Sequence, residues 1–221
     1  MKFLTLLGYI LRSLILRGPV ATIRMAVKES SGDRHFAIQT KGLQLEHQAG
    51  YHHYQGASYM VLEKIFAVLA GFPVPDRFVD VGSGLGRVIF FAEARGFKWL
   101  RGVEMNGTLV DKANDNSVRY KKRNVAADLQ FYSANALKFD YPSEAAVYFF
   151  FNPFDAEIMD ACLDRISAGS TADNWFVYMN PLYRSTFENK GFNQVAEVRT
   201  NFYTEAIIYK GRSTQALHSV L

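Results

Sequence analysis

Short apolar runs alternate with longer segments of helical apolar spacing along most of the chain. The short runs predict strands at 77–81, 99–104, 128–133, 145–151, 175–179, 194–200 and 205–210. The longer segments predict helices at 85–95, 108–123 and 155–166, with a short one near 183–189. Such alternation is typical of an α/β fold, a doubly wound and mostly parallel seven-stranded sheet with helices on both faces. Only a short turn at Asn201-Phe202 separates the last two strands, which predicts an antiparallel C-terminal hairpin.

The residues before the first predicted strand do not show this alternation of strands and helices. Residues 1–35 predict one or two helices with a break at Gly18-Pro19, and residues 36–56 predict an irregular connector. A helix at 58–69 leads to the first strand. We therefore expect an N-terminal helical extension and connector over 1–56, a main domain over 57–212 and a tail over 213–221.

The N-terminal apolar segment is too short and too interrupted to span a bilayer, which needs roughly 20 apolar residues. One interpretation is an interfacial or partner-binding helix, with nearby cations that suit anionic lipid headgroups: Arg12, Arg17, Arg24 and Lys28. The other, which we favour, is a helix packed on its own domain. Peripheral membrane contact through residues 1–18 is the alternative.

Composition narrows the class of protein. The 221 residues carry a net charge of +4, and the single cysteine, Cys162, excludes an intramolecular disulfide, so we expect a cytoplasmic protein. The densest basic run, 119–123, falls in the last turn of a predicted helix, where cations favour the helix dipole. We do not expect a nucleic-acid partner.

Three closely spaced glycines follow the strand at 77–81: Gly82, Gly84 and Gly86. Glycines at the carboxyl end of a buried strand let the backbone turn tightly and approach a ligand. Glu104 ends the next strand, where an acid can accept the hydroxyl protons of a ribose. Arg87 stands where the dinucleotide pattern G-x-G-x-x-G has its third glycine, which argues against NAD.

The residues from Asp80 to Gly86, with Glu104, Asn135-Ala136 and Asn152-Pro153-Phe154, resemble the class I, seven-stranded family of S-adenosylmethionine-dependent methyltransferases. The resemblance covers about residues 54–210. It implies that S-adenosylmethionine is the cofactor, that Glu104 binds its ribose, and that Asn135 and Ala136 lie at its adenine. Asn135 replaces a more usual Asp, but its side-chain oxygen still accepts a hydrogen bond. The glycine loop, by the same resemblance, holds the methionine part through Asp80, Gly82, Ser83, Gly84 and Gly86.

Within that class, the chain is most similar to the disruptor-of-telomeric-silencing type of lysine methyltransferase. The similarity lies in the segments from Tyr54 to Tyr59 and from Phe151 to Phe154. It implies a lid over the cofactor formed by Tyr54, Ser58 and Tyr59, whereas plain packing with Ser58 as a helix N-cap is the alternative. The chain has no lysine-rich tail, so a histone substrate does not carry over.

Asn152 is the residue that we expect to act on the methyl acceptor. It follows an apolar strand whose phenylalanines we interpret as core, and its carbonyl oxygen can accept a proton from an incoming amine. An ordinary turn asparagine is the alternative. The histidines at 47, 52 and 53 lack further ligands at suitable spacing, so we predict no metal site.

The leading hypothesis is an S-adenosylmethionine-dependent methyltransferase acting on a nitrogen of a protein or small molecule. A rival is methylation of the adenine amino group in nucleic acid, because Asn152-Pro153-Phe154 partly resembles an Asn-Pro-Pro-aromatic motif. The other rival is a non-catalytic module that keeps the fold and binds a membrane or a partner. The sequence does not identify the acceptor.

Overall fold

The structure is a computed structural model, and it describes residues 2–41, 43–44, 54–121, 127–170 and 172–211. The N-terminal part holds helices α1 (Lys2–Arg17) and α2 (Pro19–Phe36), a small antiparallel pair of strands β1 (Leu43–Gln44) and β2 (Tyr54–Gln55), and helix α3 (Tyr59–Leu69). The break between α1 and α2 is at Gly18, whose φ of 82° is costly for other residues, and Pro19 then begins α2. The predicted break is confirmed.

A seven-stranded sheet forms the centre of the molecule. Its strands are β3 (Arg77–Val81), β4 (Trp99–Glu104), β5 (Asp128–Ser133), β6 (Val147–Phe151), β7 (Trp175–Met179), β8 (Asn193–Thr200) and β9 (Tyr203–Lys210). They lie in the order β5-β4-β3-β6-β7-β9-β8, and β9 alone runs antiparallel to both of its neighbours. The helices between them are α4 (Arg87–Glu93), α5 (Gly107–Lys121), α6 (Ala156–Gly169) and α7 (Arg184–Asn189). The predicted fold class is confirmed.

Alternate residues of the central strands enter two separate apolar cores. Phe149 packs with α3 and α4 on one face of the sheet, and Phe150 packs with α6 and α7 on the other. Both side chains are completely buried, so the interpretation of this run as core is confirmed. A strand covered on both faces needs apolar residues at every position, which explains why no polar alternation occurs here.

The N-terminal helices pack only partly on the domain. Ala21 and Met25 of α2 pack against the first core. Arg17, at the end of α1, forms a two-point ion pair with the buried Glu205 of β9, at 2.6 and 2.8 Å. Large apolar side chains of both helices nevertheless remain exposed, which the favoured sequence interpretation did not anticipate. Within the described ranges, no helix is long and apolar enough to cross a membrane.

Candidate functional site

The chain reverses its direction of travel across the sheet between β3 and β6. From β3 it proceeds outward through β4 to β5, and then returns to place β6 on the other side of β3. In open α/β sheets, ligands bind beyond the carboxyl ends of the strands at such a switch point. The glycine loop follows β3 and the Asn152-Pro153-Phe154 segment follows β6, so both predicted site segments lie there.

The glycine loop and the loop after β6 contact each other. Gly82, Gly84 and Gly86 have φ angles of 84°, 51° and 84°, in the left-handed region that glycine adopts without strain. A Cβ atom on Gly82 would lie 2.7 Å from Cβ of Pro153. The lack of a side chain at Gly82 therefore allows the two loops to meet at the switch point.

Glu104 is held directly against the glycine loop. Its Oε2 accepts a hydrogen bond from the backbone N–H of Gly84 at 3.0 Å, and its Oε1 accepts one from the N–H of Asn106 at 3.0 Å. The side chain is partly exposed and lies at the tip of β4, where a ribose would require it.

Asp80 lies beneath the same loop and is only 2% exposed. Burial raises the pKa of its carboxyl group well above the usual value of 3.8, and the negative charge of Glu104 raises it further. Among the described residues, no cation is a cause of this shift. Two neighbouring acids at the strand ends favour a positively charged ligand and oppose a pyrophosphate.

The remaining residues of the predicted cofactor pocket take up local contacts. The Ser83 hydroxyl is buried, lacks a hydrogen-bond partner among the described residues, and points toward Gly102, where a Cβ would approach it to 2.8 Å. The Asn135 side-chain oxygen accepts a hydrogen bond from the N–H of Leu137 at 2.8 Å. Ala136 is buried beside it. Asn135 thus closes a turn after β5, at the same edge of the sheet as Glu104.

Asn152 is buried and has a φ of 42°, a left-handed conformation that asparagine tolerates better than most residues. Its Oδ1 accepts a hydrogen bond from the hydroxyl of Tyr178 at 2.8 Å, and this hydroxyl in turn accepts one from the N–H of Tyr183 at 3.3 Å. The side-chain oxygen is therefore held in place at the switch point and retains one acceptor position. Both the turn role and the site role are compatible with this geometry.

The chain contains a second Asn-Pro pair, Asn180-Pro181, which the sequence-based prediction did not include. Asn180 follows β7 as Asn152 follows β6, precedes Pro181, and has a φ of 52°. Its Oδ1 also accepts a tyrosine hydroxyl, that of Tyr203 at 2.8 Å. The repeated dipeptide at the ends of neighbouring strands was the signal in the sequence. It shows that an asparagine with a left-handed backbone can end a strand in this fold without marking the switch point.

Arg87 is the second residue that sequence reasoning undervalued. Its guanidinium group is buried and contacts the Glu29 carboxylate at 2.6 Å, the Thr40 hydroxyl at 2.6 Å and the Ala57 carbonyl oxygen at 2.8 Å. The Asp33 carboxylate lies 3.4 Å away. Arg87 therefore joins the end of the glycine loop to α2, to the connector and to the segment before α3.

Tyr59, a member of the predicted lid, belongs to the same cluster, and the lid stays a prediction. Its hydroxyl donates a 2.6 Å hydrogen bond to Asp33, and its ring lies 4.4 Å from the guanidinium carbon of Arg87. Ser58 occupies the N-cap position of α3, but its side chain makes no capping hydrogen bond. Glu29 accepts a hydrogen bond from the N–H of Tyr59, the first residue of the helix. The Ser58 hydroxyl is buried without a hydrogen-bond partner in the described part of the chain.

Some sequence hypotheses lie outside the described residues. They concern the three histidines at 47, 52 and 53, the side chain of Tyr54 and the tail at 213–221. Across the ranges that the structure describes, no three His, Cys, Asp or Glu side chains are grouped as a metal site requires. In the basic run at 119–123, Tyr120 is buried and packs on Phe90 with 4.9 Å between ring centroids, so this aromatic is core.

No family model and no curated protein sequence matches the chain. Solved structures do match. The pyocyanin biosynthetic protein PhzM aligns with 67% of this chain and 54% of its own, at 14% identity and a TM-score of 0.54. A protein from Nostoc punctiforme PCC 73102 assigned as an O-methyltransferase aligns over 67% and 55%, at 16% identity and a TM-score of 0.51.

The magnesium protoporphyrin IX methyltransferase of Synechocystis PCC 6803, solved with bound S-adenosylmethionine, aligns with 71% of this chain and 85% of its own. Its identity is 13% and its TM-score 0.49. At such identities the comparisons establish the fold alone. The chain has the α/β methyltransferase fold, with its antiparallel hairpin at the C-terminal end.

Proposed function

We propose that the protein is a methyltransferase that uses S-adenosylmethionine and methylates a nitrogen of a protein or small molecule. The observation that carries the proposal is the contact between the glycine loop, the carboxylate of Glu104 and the loop of Asn152 at the switch point. The fold comparison with an assigned O-methyltransferase supports the general reaction class.

The acidic character of the site supports this cofactor. S-adenosylmethionine carries a positive sulfonium and a positive ammonium group, whereas NAD carries a pyrophosphate. The carboxylate of Glu104 attracts the former and repels the latter, and a bound cation favours the ionised form of the buried Asp80. The loop N–H groups of Gly82 and Ser83 both donate to the carbonyl oxygen of Val103, at 2.8 and 3.1 Å, so they are not directed at a phosphate.

When bound, the cofactor supplies an electrophilic methyl group, and the protein needs no nucleophile of its own. Asp80, Glu104 and Asn135 would hold the cofactor along the carboxyl ends of β3, β4 and β5. Asn152 would orient the acceptor nitrogen by accepting a hydrogen bond from it at Oδ1. The hydroxyl of Tyr178 holds that oxygen in position.

The choice of nitrogen as the acceptor atom rests on Asn152 and on the resemblance to the disruptor-of-telomeric-silencing type in the segments 54–59 and 151–154. The adenine rival is less favoured. It would need an aromatic side chain at position 154 to stack on a base, and Phe154 is 3% exposed within the second core.

Calorimetric titration with S-adenosylmethionine, S-adenosylhomocysteine and NAD tests the cofactor. We expect binding of the first two, and weakening of about tenfold or more in Glu104→Gln, because hydrogen bonds to a carboxylate are strong. Glu144→Gln is the matched control, since Glu144 lies before β6 at the opposite edge of the sheet. Binding of NAD alone, or equal affinities in both variants, would refute the proposal.

Methyl transfer from labelled cofactor to amine-containing acceptors then tests Asn152. We expect Asn152→Ala to lower kcat by about a hundredfold while cofactor affinity stays within about twofold. Asn180→Ala, which alters the equivalent residue of the next strand, serves as the control and should retain most activity. Equal losses in the two variants would assign Asn152 to the turn alone.

A further inference from the structure

The exposed apolar side chains of the described residues concentrate on one part of the molecule. Ten large apolar side chains are exposed, and seven of them belong to α1 and α2: Ile10, Leu11, Leu14, Ile15, Val20, Ile23 and Val27. Their spacing places those of α1 on one side of that helix and those of α2 on one side of the other. Ile15 is 80% exposed. Such a concentration marks an interaction surface.

The adjoining β8–β9 turn enlarges this surface. The side-chain amide of Asn201 donates to the carbonyl oxygen of Arg17, so the turn lies against the junction of α1 and α2. The next residue, Phe202, is 94% exposed and is the eighth of the ten. We call these eight side chains the N-terminal apolar face.

The helices that carry this face are attached to the domain. The buried ion pair of Arg17 with Glu205 holds the end of α1, and the Arg17 guanidinium carbon lies 4.4 Å from the centre of the Tyr203 ring. Ser13 and Thr22 share a 2.9 Å hydrogen bond that joins α1 to α2. The face is therefore presented outward by a fixed pair of helices.

Exposed cations lie beside the face. Of the five cations in residues 1–28, Arg17 is paired with Glu205 and Lys28 with Glu63. The side chains of Arg12 and Arg24 are exposed beside the apolar positions. A second copy of the same surface would place like charges opposite each other, whereas anionic headgroups complement them.

We propose that the N-terminal apolar face docks the protein on an anionic lipid surface. Phe202 and the aliphatic side chains enter the headgroup region, and Arg12 and Arg24 contact lipid phosphates. Docking is separate from the proposed methyl transfer. The face borders the carboxyl edge of the sheet, because Tyr203 beside Arg17 bonds Asn180 at the end of β7.

Flotation of the full-length protein with vesicles tests the proposal. Vesicles of phosphatidylcholine mixed with phosphatidylglycerol should bind the protein, those of phosphatidylcholine alone should bind it weakly, and salt should release it. We expect Val20→Glu to reduce binding about tenfold or more, because it places a charge among the apolar side chains. Val118→Glu is the control, with 63% exposure against 64% for Val20. Val118 lies on α5, which packs against Phe36 at the opposite end of α2 from Val20.

Calorimetry without vesicles keeps this proposal distinct from the enzymatic one, since Val20→Glu should bind S-adenosylmethionine as the wild type does. Equal flotation of the two glutamate variants would overturn the lipid proposal. So would sedimentation equilibrium that shows a dimer abolished by Val20→Glu, because the face would then bind a second copy. Failure of the wild type to bind phosphatidylglycerol vesicles would overturn it as well.

Discussion

Two buried charge clusters lie at opposite ends of the glycine loop, and they differ in how their charges are balanced. At the start of the loop, Asp80 lies beside Glu104, and burial followed by the charge of Glu104 raises its pKa. At the end, Arg87 is surrounded by Glu29, Asp33 and the Thr40 hydroxyl. Burial alone would raise the pKa of Asp33, but hydrogen bonds from Tyr59 and Thr40 and the charge of Arg87 lower it.

This difference in charge balance indicates which cluster stabilises the fold and which one is suited to bind a ligand. A buried charge that has partners of opposite sign within the fold holds elements together, as Arg87 joins α2 and α3 to α4. Where burial raises the pKa of a carboxyl group, the ionised form of that group is disfavoured until a positively charged ligand binds beside it. The first cluster therefore suits ligand binding, and the second suits attachment of the N-terminal helices.

The largest expected effect follows from removing the charge of Arg87. Arg87→Met leaves two carboxylates facing a buried apolar side chain, so the free energy of unfolding should fall by about 3–5 kcal/mol. Arg165→Met, which removes an exposed ion pair with Asp140, should change it by less than about 1 kcal/mol. Urea denaturation measures both. Similar values for the two variants would contradict the structural role.

A smaller effect is expected for Tyr59→Phe, which deletes the 2.6 Å hydrogen bond to Asp33. The free energy of unfolding should fall by about 1–2 kcal/mol, because the lost bond goes to a charged group. Affinity for S-adenosylmethionine should stay unchanged, since the hydroxyl faces the Arg87 cluster. Tyr132→Phe, which removes a solvent-exposed hydrogen bond to Gln130 on β5, is the control. A loss of cofactor affinity in Tyr59→Phe alone would support the lid hypothesis instead.

Asp80→Asn, in contrast, should raise the free energy of unfolding. Because folding raises the pKa of Asp80 above 3.8, this group stabilises the fold fully below pH 3.8 and loses that contribution as pH rises toward the folded pKa. An asparagine side chain does not ionise, so Asp80→Asn avoids this pH-dependent loss. Without cofactor, its free energy of unfolding should exceed that of the wild type by on the order of 1 kcal/mol at pH 7. Its affinity for S-adenosylmethionine should fall about tenfold.

The control for Asp80→Asn is Asp140→Asn, because the side chain of Asp140 is 99% exposed. We expect urea denaturation between pH 4 and pH 8 to show a contribution of Asp80 to the free energy of unfolding that declines as pH rises. Asp140→Asn should retain this decline, and Asp80→Asn should lack it. Destabilisation of the cofactor-free protein by Asp80→Asn at pH 7 would show that its charge already has a partner. The contrast between the two clusters would then be lost.

The sequence predicted the elements of the main domain closely, because apolar spacing and breaks are local properties. The strands at 99–104, 128–133 and 175–179 coincide with β4, β5 and β7, whereas the predicted helix at 85–95 is shorter, Arg87–Glu93. The loop of Asp80 to Gly86 and the carboxylate of Glu104 were also recognisable, since a glycine turn and an acid at a strand tip are local requirements of a nucleoside site. Asn152 stays a prediction.

The sequence by itself thus determined the order of strands and helices, the glycine loop and the acid opposite it, because each depends on neighbours along the chain. Only the tertiary structure decided which side chains have distant partners. Arg87 meets residues from positions 29 to 57, Tyr59 turns toward Asp33, and the aliphatic side chains of α1 and α2 stay uncovered. Apolar spacing shows that a helix has an apolar side, but only the packing of the whole chain determines whether another element covers it.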